Sequence, residues 1–168
     1  VLMQSRSLMT EFDPDRRTVL MAGGTALIAG LAGCLGGDGG DGSSNGGDTD
    51  PQGQVDTYLT DNNANNYDGP DSIVDQTGTG ELLIEVGPNR QYQFDPAAVR
   101  IDSGTTITWE WMSSNHSVTQ TESSFDFEDS GTQSSGATHE QTLEGTGAFL
   151  YKCTPHASLG HYGGIIVE

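Results

Sequence analysis

The chain has 168 residues, of which 33% are hydrophobic and 24 are glycine, and its 24 acids against 6 bases give a formal net charge of −18. That length has room for one domain with a leader and a linker. So acidic a surface repels nucleic acid and anionic membrane, which excludes a nucleic-acid role; it fits a protein kept soluble in high salt, with an acidic docking face for a basic partner as the alternative.

Arg16-Arg17 introduces an uncharged stretch, residues 18–33, too short to span a bilayer comfortably. A charged start, a short apolar run and a small-residue exit make an export signal. The arginine pair resembles a twin-arginine signal. Leu31-Ala-Gly-Cys34 resembles a lipobox, whose cysteine is lipid-modified and becomes the first mature residue. The residues after Cys34 keep 21 of the 24 acids and three of the six bases. Residues 34–54 are rich in Gly and Asp and read as a flexible, self-repelling tether. Some twenty such residues reach about 25 Å.

The domain is expected over residues 55–168. Val55 to Thr79 is polar with scattered anchors (Tyr58, Leu59, Tyr67, Ile73, Val74) and reads as irregular chain or a short helical turn. Strand signals then follow at Leu82–Val86, Tyr92–Phe94, Val99–Ile101 and Thr105–Trp111, and next at Ser117–Gln120, Thr138–Leu143, Ala148–Lys152 and Gly164–Val167. Thr105, Ile107, Trp109 and Trp111 alternate onto one face. Residues 121–137 read as a long polar loop containing Phe125 and Phe127. Seven or eight short strands with no helical period imply an all-β, antiparallel Greek-key sandwich.

Cys153 and His156 lie on the loop between the last two strands, and His116 follows Trp109–Trp111. One thiolate and two imidazoles with a weak fourth ligand are the donor set of a blue-copper electron-transfer site. A Cys34–Cys153 disulfide is disfavoured, because each cysteine has its own explanation. His139 matches no motif and reads as a surface residue.

Residues 55–168 resemble the halocyanin domain, the plastocyanin-like cupredoxin of halophilic archaea. The resemblance rests on Tyr67-Asp-Gly69, Asp75-Gln-Thr-Gly78, Glu85-Val-Gly87, Phe94-Asp-Pro-Ala97, Gly104–Trp111, His116 and Tyr151-Lys-Cys-Thr-Pro-His156, with Gly160 and Gly163. It implies one copper ion cycling between Cu2+ and Cu+, with His116, Cys153 and His156 as equatorial ligands. It also implies Ser117 where the family usually has Asn, and a docking patch at Leu159, Ala157 and Tyr162 around the exposed edge of His156.

The chain departs from that family at His161, where a methionine is usual. Three readings stand. His161 ligates copper axially, which turns the colour from blue toward green or red and lowers the potential. It swings to solvent and leaves three ligands, with the Asn115 carbonyl or water nearby. Or the chain binds copper poorly. The function implied is a monomeric, one-electron carrier, tethered by lipid on Cys34 to the outer face of the cell membrane. Its partners are redox proteins, membrane respiratory complexes among them. The alternative is copper storage or small-molecule sensing. A copper enzyme is disfavoured by the short length and the lack of further His clusters.

Overall fold

The computed structural model describes residues 50–168. The signal, Cys34 and most of the tether lie outside the described residues. The described residues open with helix α1 (Pro51–Asp61), which takes in residues read above as tether. Asp50 caps it, its side chain accepting from Gly53 N at 3.3 Å, and Pro51 occupies the first turn. The apolar face is short. Val55 and Leu59, four residues apart, are buried on one side.

Among the described residues nine strands follow: β1 (Val74–Asp75), β2 (Glu81–Val86), β3 (Phe94–Asp95), β4 (Ala98–Ile101), β5 (Thr105–Trp111), β6 (Thr119–Gln120), β7 (Thr138–Leu143), β8 (Gly147–Lys152) and β9 (Tyr162–Val167). The expected count of seven or eight is exceeded because β1 is a two-residue strand in a segment read as irregular. The strands form a sandwich of two sheets, ordered β1-β4-β9-β8-β6 and β3-β2-β5-β7. The purely antiparallel expectation is corrected. β1 with β4, β4 with β9 and β2 with β5 run parallel.

The main core lies between the sheets. Ile84, Ile107, Trp109, Trp111, Phe149, Tyr151 and Ile165 meet there. β5 alternates buried and half-buried residues along its whole length, as its sequence predicts. β8 and β9 are apolar without alternation, and a second core explains why. Phe149 and Ile165 face the other sheet, whereas Ala148, Leu150 and Ile166 face outward and pack under Val55 and Leu59 of α1. Both faces of these central strands are covered, so both faces are apolar. The long loop over residues 121–137 also differs from a purely solvated one. Phe125 is buried in the core, and Phe127 packs on Phe149 at 4.7 Å and Trp109 at 5.6 Å. Among the described residues, no helix is long and apolar enough to cross a membrane.

Candidate metal centre

The ends of β5, β8 and β9 converge at one end of the sandwich, and the four expected side chains meet there. His116, Cys153, His156 and His161 each offer one ligand atom, and these atoms all lie within 4.8 Å of one another. Cys153 Sγ is 3.7 Å from His116 Nδ1 and 3.4 Å from His156 Nδ1. The two Nδ1 atoms are 3.1 Å apart. Cys153 and His161 are fully buried, His116 is nearly so, and His156 is half-buried.

His116 is oriented from behind. Its outer nitrogen, Nε2, is 3.0 Å from Ser113 Oγ, and that hydroxyl donates to the Gly87 carbonyl at 2.6 Å. The hydroxyl hydrogen is thereby used, so Nε2 carries the proton and Nδ1 presents its lone pair to the cluster. Gly87 has a left-handed φ of 66°, and a Cβ there would strike Ser113 Oγ and come within 2.5 Å of His116 Nε2. The motif reading missed Ser113, since serine is abundant in this chain and the carbonyl that fixes its hydroxyl is 26 residues away.

Ser117 closes the two ligand segments onto each other. Its backbone N–H points at Cys153 Sγ, 3.4 Å away, and its hydroxyl accepts from Thr154 N at 2.9 Å. The short hydroxyl therefore spans the gap that a longer Asn would span. Asn115 takes a left-handed φ of 68° and donates its N–H to the Gln133 carbonyl at 2.9 Å.

His161 lies inside. Neither ring nitrogen has a partner in hydrogen-bonding geometry, and the ring is fully buried. It packs 4.3 Å from Phe94 and 4.8 Å from His116, centroid to centroid. A ring swung to solvent is thus not what the fold holds. Burial, reinforced by the neighbouring His116 and His156 and opposed by the nearby Gln93 backbone, pushes its pKa down to about 3. Burial and then His156 push His116 down to about 4. Burial raises the Cys153 thiol, while the N–H groups of Ser117 and His156 act in the other direction. His116 and His161 are thereby held neutral, which is the ligating form. A buried imidazole with two unpartnered nitrogens beside a thiol and two convergent Nδ1 atoms is what a site for a soft or borderline cation looks like.

The surroundings refine the expected docking patch. Leu159 is exposed at 48%, as expected, but Tyr162 packs on Tyr58 of α1 at 5.6 Å and is half-buried. Tyr92 takes the place beside the metal centre instead. Its ring stacks on His156 at 4.5 Å and 29°, with 42% of its surface exposed. Tyr92, Met112 and Arg90 line a cleft of about 460 Å³ with His116 and His156. His139 stands apart, and its surface reading is corrected. Its ring packs 5.6 Å from Phe127 and 6.0 Å from Trp109, with Nε2 buried.

The profile of the copper binding proteins of the plastocyanin/azurin family matches residues 81–168. A halocyanin of Natronomonas pharaonis is 46% identical over 122 residues, which cover 70% of this chain and 74% of that one. Among solved structures, a copper-containing nitrite reductase of Thermus scotoductus is similar with a TM-score of 0.50 at 14% identity, over 60% of this chain and 29% of that one. A purple cupredoxin of Nitrosopumilus maritimus aligns with a TM-score of 0.46 at 24% identity, over 52% and 99% of the two chains. The chain therefore belongs to the plastocyanin/azurin family of copper-binding proteins and is related to halocyanin.

Proposed function

We propose that the chain is a one-electron carrier with a type 1 copper centre held by His116, Cys153 and His156, and that His161 is its fourth ligand. The buried, doubly unpartnered ring of His161 carries this reading. A sulfur and three imidazoles also suit zinc, and family membership is what favours copper. Bound copper would supply the reversible one-electron exchange. The protein's part is to hold the donors. Ser113 fixes the tautomer of His116, Ser117 joins the two ligand segments, and Cys153 and His161 are shut off from water. Rigid, dry donors keep the rearrangement on electron transfer small.

His156 is the port, since it is the one half-buried member of the four. Tyr92, Leu159 and Met112 give it an apolar rim for brief contact with redox partners, membrane respiratory complexes among them. Lipid on Cys34 would anchor the chain, as a monomer, to the outer face of the membrane. A Cys34→Ala chain that still partitions with membranes would remove that anchor.

The visible and EPR spectra of the copper-loaded chain, taken in high salt, test the centre. A green or red protein with an intense thiolate-to-copper band and wide hyperfine splitting is expected. A blue protein with narrow splitting would leave the carrier and remove His161 as a strong ligand. No such band would remove the electron-transfer reading and leave storage of another cation.

A further inference from the structure

The chain ahead of the segment matched by the family profile reaches the metal centre. After α1, residues 62–66 cross beside it. Asn65 is the point of contact. Its side-chain amide donates both hydrogens, one to the Tyr92 carbonyl and one to the Leu159 carbonyl, each at 2.7 Å. Its backbone N–H donates to the Gly160 carbonyl at 2.8 Å.

Each of these acceptors is next to a group that matters. The ring of Tyr92 lies on His156, and Leu159–Gly160 leads directly into His161. Gly160 has a left-handed φ of 81°, and a Cβ there would come within 2.6 Å of the Asn63 carbonyl oxygen and 3.0 Å of Asn65 Nδ2. No other residue type lets the loop approach so closely. Asn63 and Asn66 on either side are themselves left-handed, at φ 48° and 63°, so the backbone turns sharply around Asn65. Asn66 Nδ2 donates to the Phe94 carbonyl at 3.1 Å, and the Phe94 ring packs on His161.

We propose that Asn65 is a positioning residue of the metal centre: its three hydrogen bonds tie Tyr92 to Leu159–Gly160, and so hold Tyr92 over His156 and turn His161 into the cluster. The inference rests on the copper reading of the four ligands. Asn65 is solvent-exposed, so its bonds compete with water and add little to global stability. What they supply is direction. One side chain holds two carbonyls that are 67 residues apart in sequence, and no local turn could do that.

The test uses the full chain with Asn65→Asp, Asn65→Ala and, as a control, Leu59→Ala. Asn65→Asp keeps the shape but sets carboxylate oxygens against two carbonyl oxygens. Leu59→Ala loosens α1 without touching these bonds. In the copper-loaded protein, both Asn65 variants are expected to change the ratio of the thiolate-to-copper bands and the potential, and to lose copper to a chelator about tenfold more readily. Leu59→Ala is expected to lower the melting temperature and leave the spectrum intact. Unchanged spectra and potentials in both Asn65 variants would overturn the proposal, as would an equal spectral change in Leu59→Ala.

Hydrogen exchange of the copper-free chain is the second arm, and it separates this inference from the copper reading. The backbone amides of Asn65 and His161 are expected to be protected in the parent chain and to exchange faster in Asn65→Asp. An Asn65 amide that exchanges at the rate of open chain in the parent overturns the clamp, whether or not any variant folds and whether or not copper binds.

Discussion

The segment around His116 is anchored from the interior, whereas the loop from Cys153 to His161 is anchored from the surface. On the first side, Trp111 Nε1 donates to the His116 carbonyl at 2.8 Å, and Gln133 N donates to the same oxygen at 2.8 Å. Ser113 then secures the ring itself. On the second side, Cys153 N donates to the His161 carbonyl at 2.9 Å, and outside support comes from Ser117, from Thr119 through Thr154 and from exposed Asn65. The contrast extends to the rings. His116 has its outer nitrogen partnered, and His161 has neither nitrogen partnered. The fold thus prepares one imidazole completely and leaves the other buried without a well-formed hydrogen bond, a cost that a ligated cation would remove.

Replacing the uncompensated ring gives the largest expected effect. His161→Met keeps a buried side chain of similar length and substitutes a thioether for an imidazole. In copper-loaded protein, the spectrum should move toward blue, the hyperfine splitting should narrow and the potential should rise. In copper-free protein, the variant should be more stable by about 1–3 kcal/mol, because two unpartnered buried nitrogens are gone. Urea denaturation of the two copper-free chains measures this. A less stable His161→Met would mean that the ring has partners in solution.

The pH dependence of the copper-free protein sharpens the same contrast. His116 is held near 4 and His161 near 3, against 6.5 for an ordinary imidazole. Below about pH 6.5 the unfolded chain therefore binds more protons than the folded one. The stability from these neutral rings is complete above that pH. It falls as the pH drops through the window toward 4 and then 3, by a few kcal/mol in all. Carboxylate protonation relieves the charge of −18 in part of this range and acts in the opposite sense, so the titration belongs in concentrated salt. His161→Met should fall less steeply than the parent chain, since one of the two rings is absent. Equal slopes would place the proton uptake elsewhere.

Much of this centre was legible in the chain, for a physical reason. Cys153 and His156 are three residues apart in one loop, so local spacing alone brings them together, and β5 alternates so plainly that its register leads to His116. The position of His161 was legible too, but its direction was not, because burial is set by Phe94 of β3 and by His116 in the segment after β5. Ser113, Tyr92 and Asn65 were silent. Tyr92 and Asn65 act on partners 27 to 94 residues away, Ser113 is locked by a carbonyl 26 residues away although the ring it holds is only three away, and a chain this rich in Ser and Asn gives such residues no contrast. α1 was obscured in a different way. It contains Gly53, shows only Val55 and Leu59 as a buried face, and is held by packing on β8 and β9 rather than by its own propensity.

Ser113→Ala tests the better-anchored side. His116 would lose the acceptor for its Nε2 proton and the link to the Gly87 carbonyl. Copper affinity should drop about tenfold with a small shift in potential. Competition with a chelator reads the first and voltammetry the second. Since Nε2 lies next to a cleft open to water, a solvent molecule can replace the hydroxyl in part, which keeps the effect below that of His161→Met.

Ser117→Ala is expected to do least. The variant loses both hydrogen bonds of the hydroxyl, the one from Thr154 N at 2.9 Å and a longer one with Thr119 Oγ1 at 3.3 Å, and keeps the backbone N–H that points at Cys153 Sγ. The net loss of stability should be about 1 kcal/mol. The thiolate keeps its hydrogen-bond donor, so the potential should shift only slightly. Thr154 and Thr119 remain joined by a hydroxyl bond of 3.0 Å, which still ties the ligand loop to β6. A large spectral change in Ser117→Ala would mean that the two ligand segments depend on that single hydroxyl. The difference between an interior and a surface anchor would then be smaller than the hydrogen bonds indicate.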